Sequence, residues 1–79
     1  MLPLDNAIVR AYEQFNTPAD QIVTDAALGQ RFASQVNNLL PDGQRYDLPV
    51  VNRRLLYLRR RGQDKGGLPR LRRDYHGRN

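Results

Sequence analysis

The stretch DLPVVNRRLLYLRRRG, residues 47–62, decides how this chain is read. Laid on a helix at about 100° per residue, Val51, Leu55 and Leu58 fall within roughly 60° of one another and predict a core-facing seam. Arg53 and Arg60 point together toward nearly the opposite side, with Leu56 beside them. Arg54, Tyr57 and Arg61 form a flanking stripe. Asp47, with Pro49 in the first turn, predicts the start of the helix, and Gly62 predicts its C-cap. The reading is a helix over 48–61 with one apolar seam and an otherwise basic surface.

Two more segments upstream carry helical periodicity. Leu4, Ile8, Ala11, Tyr12 and Phe15 recur at helical steps and predict a first helix over about 4–16, with Asp5 as its N-cap. Thr17-Pro18 ends that run, because a residue before proline resists the α region. Thr17-Pro18-Ala19-Asp20 itself resembles a helix start, with a capping Thr, a first-turn Pro and an acid three residues after the cap. Ile22-Val23 fits either the end of that short turn or a brief strand. Thr24 reads as a further N-cap, followed by a stripe of Leu28, Phe32, Val36 (or Gln35) and Leu39 over 24–38. Gly29 within this helix costs about 1 kcal/mol relative to alanine, which points to a close helix approach. Asn37-Asn38 weakens the helix end, and Pro41-Asp42-Gly43 is a turn.

Downstream, Gln63-Asp64-Lys65-Gly66-Gly67 is turn-forming. Residues 68–75 are compatible with a strand, an extended arm or a frayed helix, and Pro69 would confine any strand to a sheet edge. Residues 76–79 read as a disordered tail. The fold class is therefore mainly α, a three-helix core followed by a short basic β-hairpin or extended arm, in one domain over 1–75.

The totals agree with a single small core. Seventy-nine residues with 39% apolar content cannot divide between two cores. There is no cysteine, which excludes disulfides and thiolate metal sites. No apolar run approaches the ~20 residues a membrane-spanning helix needs. Met1-Leu2-Pro3-Leu4-Asp5 lacks the basic start and apolar stretch of a signal peptide, so a cytoplasmic location is expected.

Catalysis has little to stand on. His76, the single histidine, sits beside Gly77 in the tail, where nothing would orient it. Lys65 with Gly66-Gly67 lacks the spacing and context of a phosphate loop. The carboxylates fall at caps and turns. A non-enzyme is expected, without metal, cofactor or small-molecule substrate.

Charge is the strongest functional signal. Residues 1–52 hold three basic and six acidic groups, a net of −3, whereas residues 53–79 hold ten basic and two acidic groups, a net of +8. Arginine presents a planar fork of donors that matches phosphate oxygens and guanine edges. Attraction of cations to the helix C-terminus accounts for Arg59-Arg60-Arg61 as a solvated face. It does not account for the second cluster of Lys65, Arg70, Arg72, Arg73 and Arg78. Both clusters together point to a polyanion. Contact of six such groups with phosphates would give log K a slope of about −5 against log salt.

The order of features resembles a winged helix-turn-helix, a DNA-binding fold. The parallel runs helix, β-branched pair (Ile22-Val23), second helix, turn, basic third helix, then a Gly-rich loop with basic flanks where the wing would lie. The resemblance implies that helix 48–61 enters the major groove with Asn52, Arg53, Leu56, Tyr57 and Arg60 outward. It implies that Lys65, Arg70, Arg72 and Arg73 approach phosphates or the minor groove. Two features depart from the pattern: a long second turn (Leu40 to Asp47) and the absence of clean alternation after Gly67. The expected nucleic-acid contacts are Asn52, Arg53, Arg54, Tyr57, Arg59, Arg60, Arg61, Lys65, Arg70, Arg72 and Arg73, and DNA is favoured over RNA. Tyr57 and Tyr75 are a thin platform for stacking unpaired bases. The competing class is a protein-interaction module whose basic face docks on an acidic partner or on a second subunit as a homodimer. Adsorption to a membrane is disfavoured, because the outer face of helix 48–61 offers only Leu56 and Tyr57 for insertion.

Overall fold

The computed structural model describes residues 2–61 and 67–69. These contain four helices, α1 (Pro3–Phe15), α2 (Ala19–Thr24), α3 (Ala26–Leu39) and α4 (Leu48–Arg61). No strand occurs among the described residues. The mainly helical reading holds, with one helix more than expected: Ile22-Val23 belongs to α2, and Ile22 is fully buried in the core. Where the predicted hairpin or arm would lie, residues 62–66 and 70–79 fall outside the described residues, as do the Gly62 cap and the 76–79 tail.

Local chemistry explains where the helices begin. α1 starts at Pro3, whose fixed φ suits the first helical position, behind an extended Leu2 that makes no side-chain cap. Asp5 therefore is not the cap; it lies inside the first turn and is buried. Asn16 closes α1 in the left-handed region, φ 49°, and donates its N–H to the Tyr12 carbonyl. The Thr17 hydroxyl donates back to the Phe15 carbonyl at 2.9 Å, and α2 begins behind Pro18 with no side-chain cap. The cap of α3 is Asp25, whose Oδ1 accepts the Leu28 N–H at 3.1 Å. The Thr24 hydroxyl instead donates to the Asp20 carbonyl one turn back, at 2.8 Å. Asp25, one residue nearer the helix, fills the cap position, and the Thr24 hydroxyl satisfies a carbonyl of the last turn of α2.

α3 runs through the middle of the fold and packs against the other three helices. Its Phe32 and Val36 are fully buried together with Ile8, Ile22, Val51, Leu55 and Leu58. Phe15 meets Phe32 edge to face, with ring centroids 5.3 Å apart. Gly29 is the point of closest approach: a Cβ there would lie 3.0 Å from the Ile22 carbonyl oxygen and 3.5 Å from Leu48 Cδ1.

Two devices tie down the chain on either side of α4. The long α3–α4 connection turns at Gly43, φ 86°, with the Gln44 N–H bonded to the Pro41 carbonyl at 3.1 Å. Asn37 then clamps it, its amide donating to the Tyr46 carbonyl (3.0 Å) and accepting the Tyr46 N–H (2.8 Å). After α4, Leu68 is buried in the core, and its N–H bonds to the Leu58 carbonyl at 3.3 Å. No helix among the described residues is long and apolar enough to cross a membrane.

Gly29→Ala gains helix propensity of about 1 kcal/mol but drives a methyl group against a backbone carbonyl that has little room to yield. A net loss of about 1 kcal/mol is expected, read as a lower urea midpoint with an unchanged slope. A rise in the midpoint would show that the α2–α3 junction relaxes freely.

Candidate nucleic-acid interface

The basic residues of α4 divide by their angle around the helix. Val51, Leu55 and Leu58 form the buried seam, as the periodicity predicts. On one flank, Arg54 reaches α1: its Nε donates to Asp5 Oδ1 at 2.6 Å and its Nη2 to Asp5 Oδ2 at 2.8 Å. On the other flank, Arg59 reaches α2 and pairs with Asp20, Nη1 to Oδ1 at 3.1 Å. The crest between them carries Arg53 and Arg60, both exposed. Neither has an ion pair or hydrogen-bonded side-chain partner among the described residues.

Two of the α4 guanidinium groups, Arg54 and Arg59, are thus matched with acids of the same chain. The two pairs differ in weight. Asp5 is buried, and the Arg54 side chain is only 30% exposed, so the bidentate fork replaces water that neither group can fully regain. Asp5 holds the Arg54 guanidinium even more firmly protonated than usual, chiefly through the hydrogen bonds. Arg59 and Asp20 are both more than half exposed, and a pair of that kind contributes about 0–1 kcal/mol.

Tyr57 sits between two arginines of its own helix. The Arg54 guanidinium lies 4.3 Å from the ring centroid, and that of Arg61 lies 5.7 Å from it while donating to the Tyr57 hydroxyl at 2.9 Å. The predicted flanking stripe of Arg54, Tyr57 and Arg61 is thus a contiguous stack, but much of its charge and ring surface is already engaged. Asn52, expected outward, is half-buried, and its Oδ1 is buried with no hydrogen-bond partner among the described residues. Leu56 is likewise half-buried. Lys65, Arg70, Arg72 and Arg73 lie outside the described residues. Of the eleven expected contacts, the structure assembles Arg53 and Arg60 as an open cationic ridge, with Tyr57 and Arg61 exposed alongside.

The Asp5–Arg54 pair was missed by sequence reasoning, although a trace of it was legible. On a helical wheel Asp5 falls about 20° from Tyr12, within the apolar stripe, and an acid there calls for a cation from another element.

The pair predicts an asymmetry. Arg54→Ala strands a buried carboxylate and is expected to cost about 2–4 kcal/mol of stability. Asp5→Ala frees a guanidinium that can turn toward water, and is expected to cost about 1–2 kcal/mol. Urea denaturation of both variants checks the order, and a larger loss for Asp5→Ala would contradict the burial argument. Comparison of the chain with family models, with curated proteins and with solved structures finds no match.

Proposed function

We propose that this chain is a small non-enzymatic nucleic-acid-binding domain that presents the crest of α4 to duplex DNA, in the manner of a winged helix-turn-helix reader. The observation that carries this reading is the division of labour on α4. Arg54 braces the helix against α1 and Arg59 pairs with Asp20 of α2, whereas Arg53 and Arg60 stand exposed without an acid of the same chain among the described residues. Two cations seven residues apart are separated by about 10.5 Å of helix rise. A single exposed helix fits a major groove about 12 Å wide, where arginine forks meet phosphate oxygens or the O6 and N7 of guanine. The backbone that carries these forks is already ordered, and binding has only to order the side chains, at about 0.5–1.5 kcal/mol each.

Two features support duplex over single-stranded nucleic acid. Arg54 and Arg61 already occupy the surroundings of the Tyr57 ring, so stacking an unpaired base there would first displace a cation. Backbone contact needs no such displacement. The buried Leu68 also holds the chain beside the last turn of α4, and Arg70, Arg72 and Arg73 follow closely in sequence. A role in transcription regulation and the use of those arginines as a minor-groove or phosphate arm belong to the same proposal.

The test is a salt series with random duplex, duplex selected from a library, and single-stranded RNA. Duplex binding is expected to be tight at low salt and to fall steeply as salt rises. Arg53→Ala combined with Arg60→Ala is expected to lower affinity tenfold or more and to reduce the salt slope by about 2. Full affinity in the double variant would remove the crest from the interface.

A further inference from the structure

A second surface lies beside the crest, where the first turn of α1 meets the first half of α4. Leu4, Val50, Arg53, Arg54 and Tyr57 line an open hollow of about 210 Å³. Its lining is almost wholly apolar, so the two arginines contribute their stems while their charged heads sit at the rim. Two large apolar side chains exposed among the described residues lie in this lining, Val50 at 39% and Tyr57 at 41%. An apolar hollow with an exposed apolar border and a cationic rim marks a contact surface.

Charge selects the occupant. A second copy docked over the hollow would bring a rim of the same sign, led by Arg53, toward its equivalent. Residues 70–79 carry Arg70, Arg72, Arg73 and Arg78 against Asp74, so the chain's own end repeats the sign of the rim. A phosphate backbone matches the rim and leaves the hollow wet. A peptide with one large apolar side chain flanked by carboxylates satisfies both parts. We infer that the α1–α4 hollow docks an acidic amphipathic segment of a partner protein, its apolar side chain seated between Leu4, Val50 and Tyr57 and a flanking carboxylate on Arg53. Arg54 is already engaged by Asp5, which leaves Arg53 as the rim cation open to a new anion. The inference does not rest on duplex binding. The two surfaces share Arg53, so acidic segment and duplex would compete.

The experiment uses the full chain and a capped probe peptide, Glu-Asp-Glu-Phe-Leu-Asp-Glu, at roughly physiological salt. Amide signals are followed by nuclear magnetic resonance. Saturable shifts are expected at Leu4 and across 50–57. The same peptide with Phe and Leu replaced by Gly is expected to bind at least tenfold more weakly, a comparison made on the unaltered protein. Val50→Asn puts a neutral polar group on the exposed border. It is expected to weaken the peptide at least fivefold and to leave duplex affinity unchanged. Arg60→Ala should do the reverse, weakening duplex and sparing peptide. Equal binding by the Gly-substituted peptide would reduce the surface to a plain charge patch and overturn the inference. So would an unaffected Val50→Asn, an absence of saturation below about 1 mM, or a duplex that shifts the hollow's signals where the peptide does not.

Discussion

A carboxylate taken out of water must find a cation with matching geometry or give up its charge, and in this fold Asp5 finds Arg54. The two groups are 49 residues apart in sequence and meet through both oxygens and two nitrogens of the fork. A bidentate contact fixes direction as well as distance, so it sets how α4 lies across the start of α1. Everything exposed on α4 inherits that setting. Rotation of the helix by one residue, about 100°, would carry Arg54 off Asp5 and the Val51–Leu55–Leu58 seam out of the core together. The polar pair and the apolar seam therefore specify the same orientation, one through direction and the other through burial. Pairs of this kind contribute more to uniqueness than to net stability, because desolvation offsets much of their attraction.

α4 was the most legible element. Its seam, its start beside Asp47 and Pro49, and the opposed placement of Arg53 and Arg60 follow from a 3.6-residue period acting on a clear contrast between valine or leucine and arginine. The caps were less legible. Asp5, Thr17 and Thr24 each carry a side chain suited to capping, yet Pro3 and Asp25 won the adjacent positions, and the two hydroxyls bonded backward. Neighbouring candidates of similar propensity differ by a few tenths of a kcal/mol, which tertiary packing readily overrides. Ile22-Val23 illustrates the same limit: a β-branched pair favours strand locally, and burial of Ile22 against the core decides for helix.

The positions of the α4 cations were legible, but their partners were not. Arginine density beyond residue 52 announced a cationic surface, but charge counting cannot separate a strut from a displayed group. Arg54 and Arg59 find Asp5 and Asp20, acids from the half of the chain with net negative charge. Those partners are set by the helix crossings, and no local pattern encodes them. Asn37 went unrecognised for the same reason: an asparagine near a helix end weakens it locally, yet here it holds Tyr46 through both ends of its amide.

The split of charge between the halves of the chain thus has two consequences in one fold. Part of the acidity of residues 1–52 is consumed in bracing α4, and what remains unbalanced on that helix is concentrated along its crest. Spending Arg54 and Arg59 on acids lowers the total cationic charge presented, yet it sharpens where that charge sits. Like-charge repulsion among Arg53, Arg59, Arg60 and Arg61 would fray an isolated helix by some tenths of a kcal/mol per close pair. Neutralising one member of the set and anchoring Leu58 beneath the last turn removes part of that repulsion without burying Arg53 or Arg60. The Asp5–Arg54 fork and the buried Val51–Leu55–Leu58 seam hold α4 in register, and Arg53 and Arg60 stand exposed on the face that neither engages.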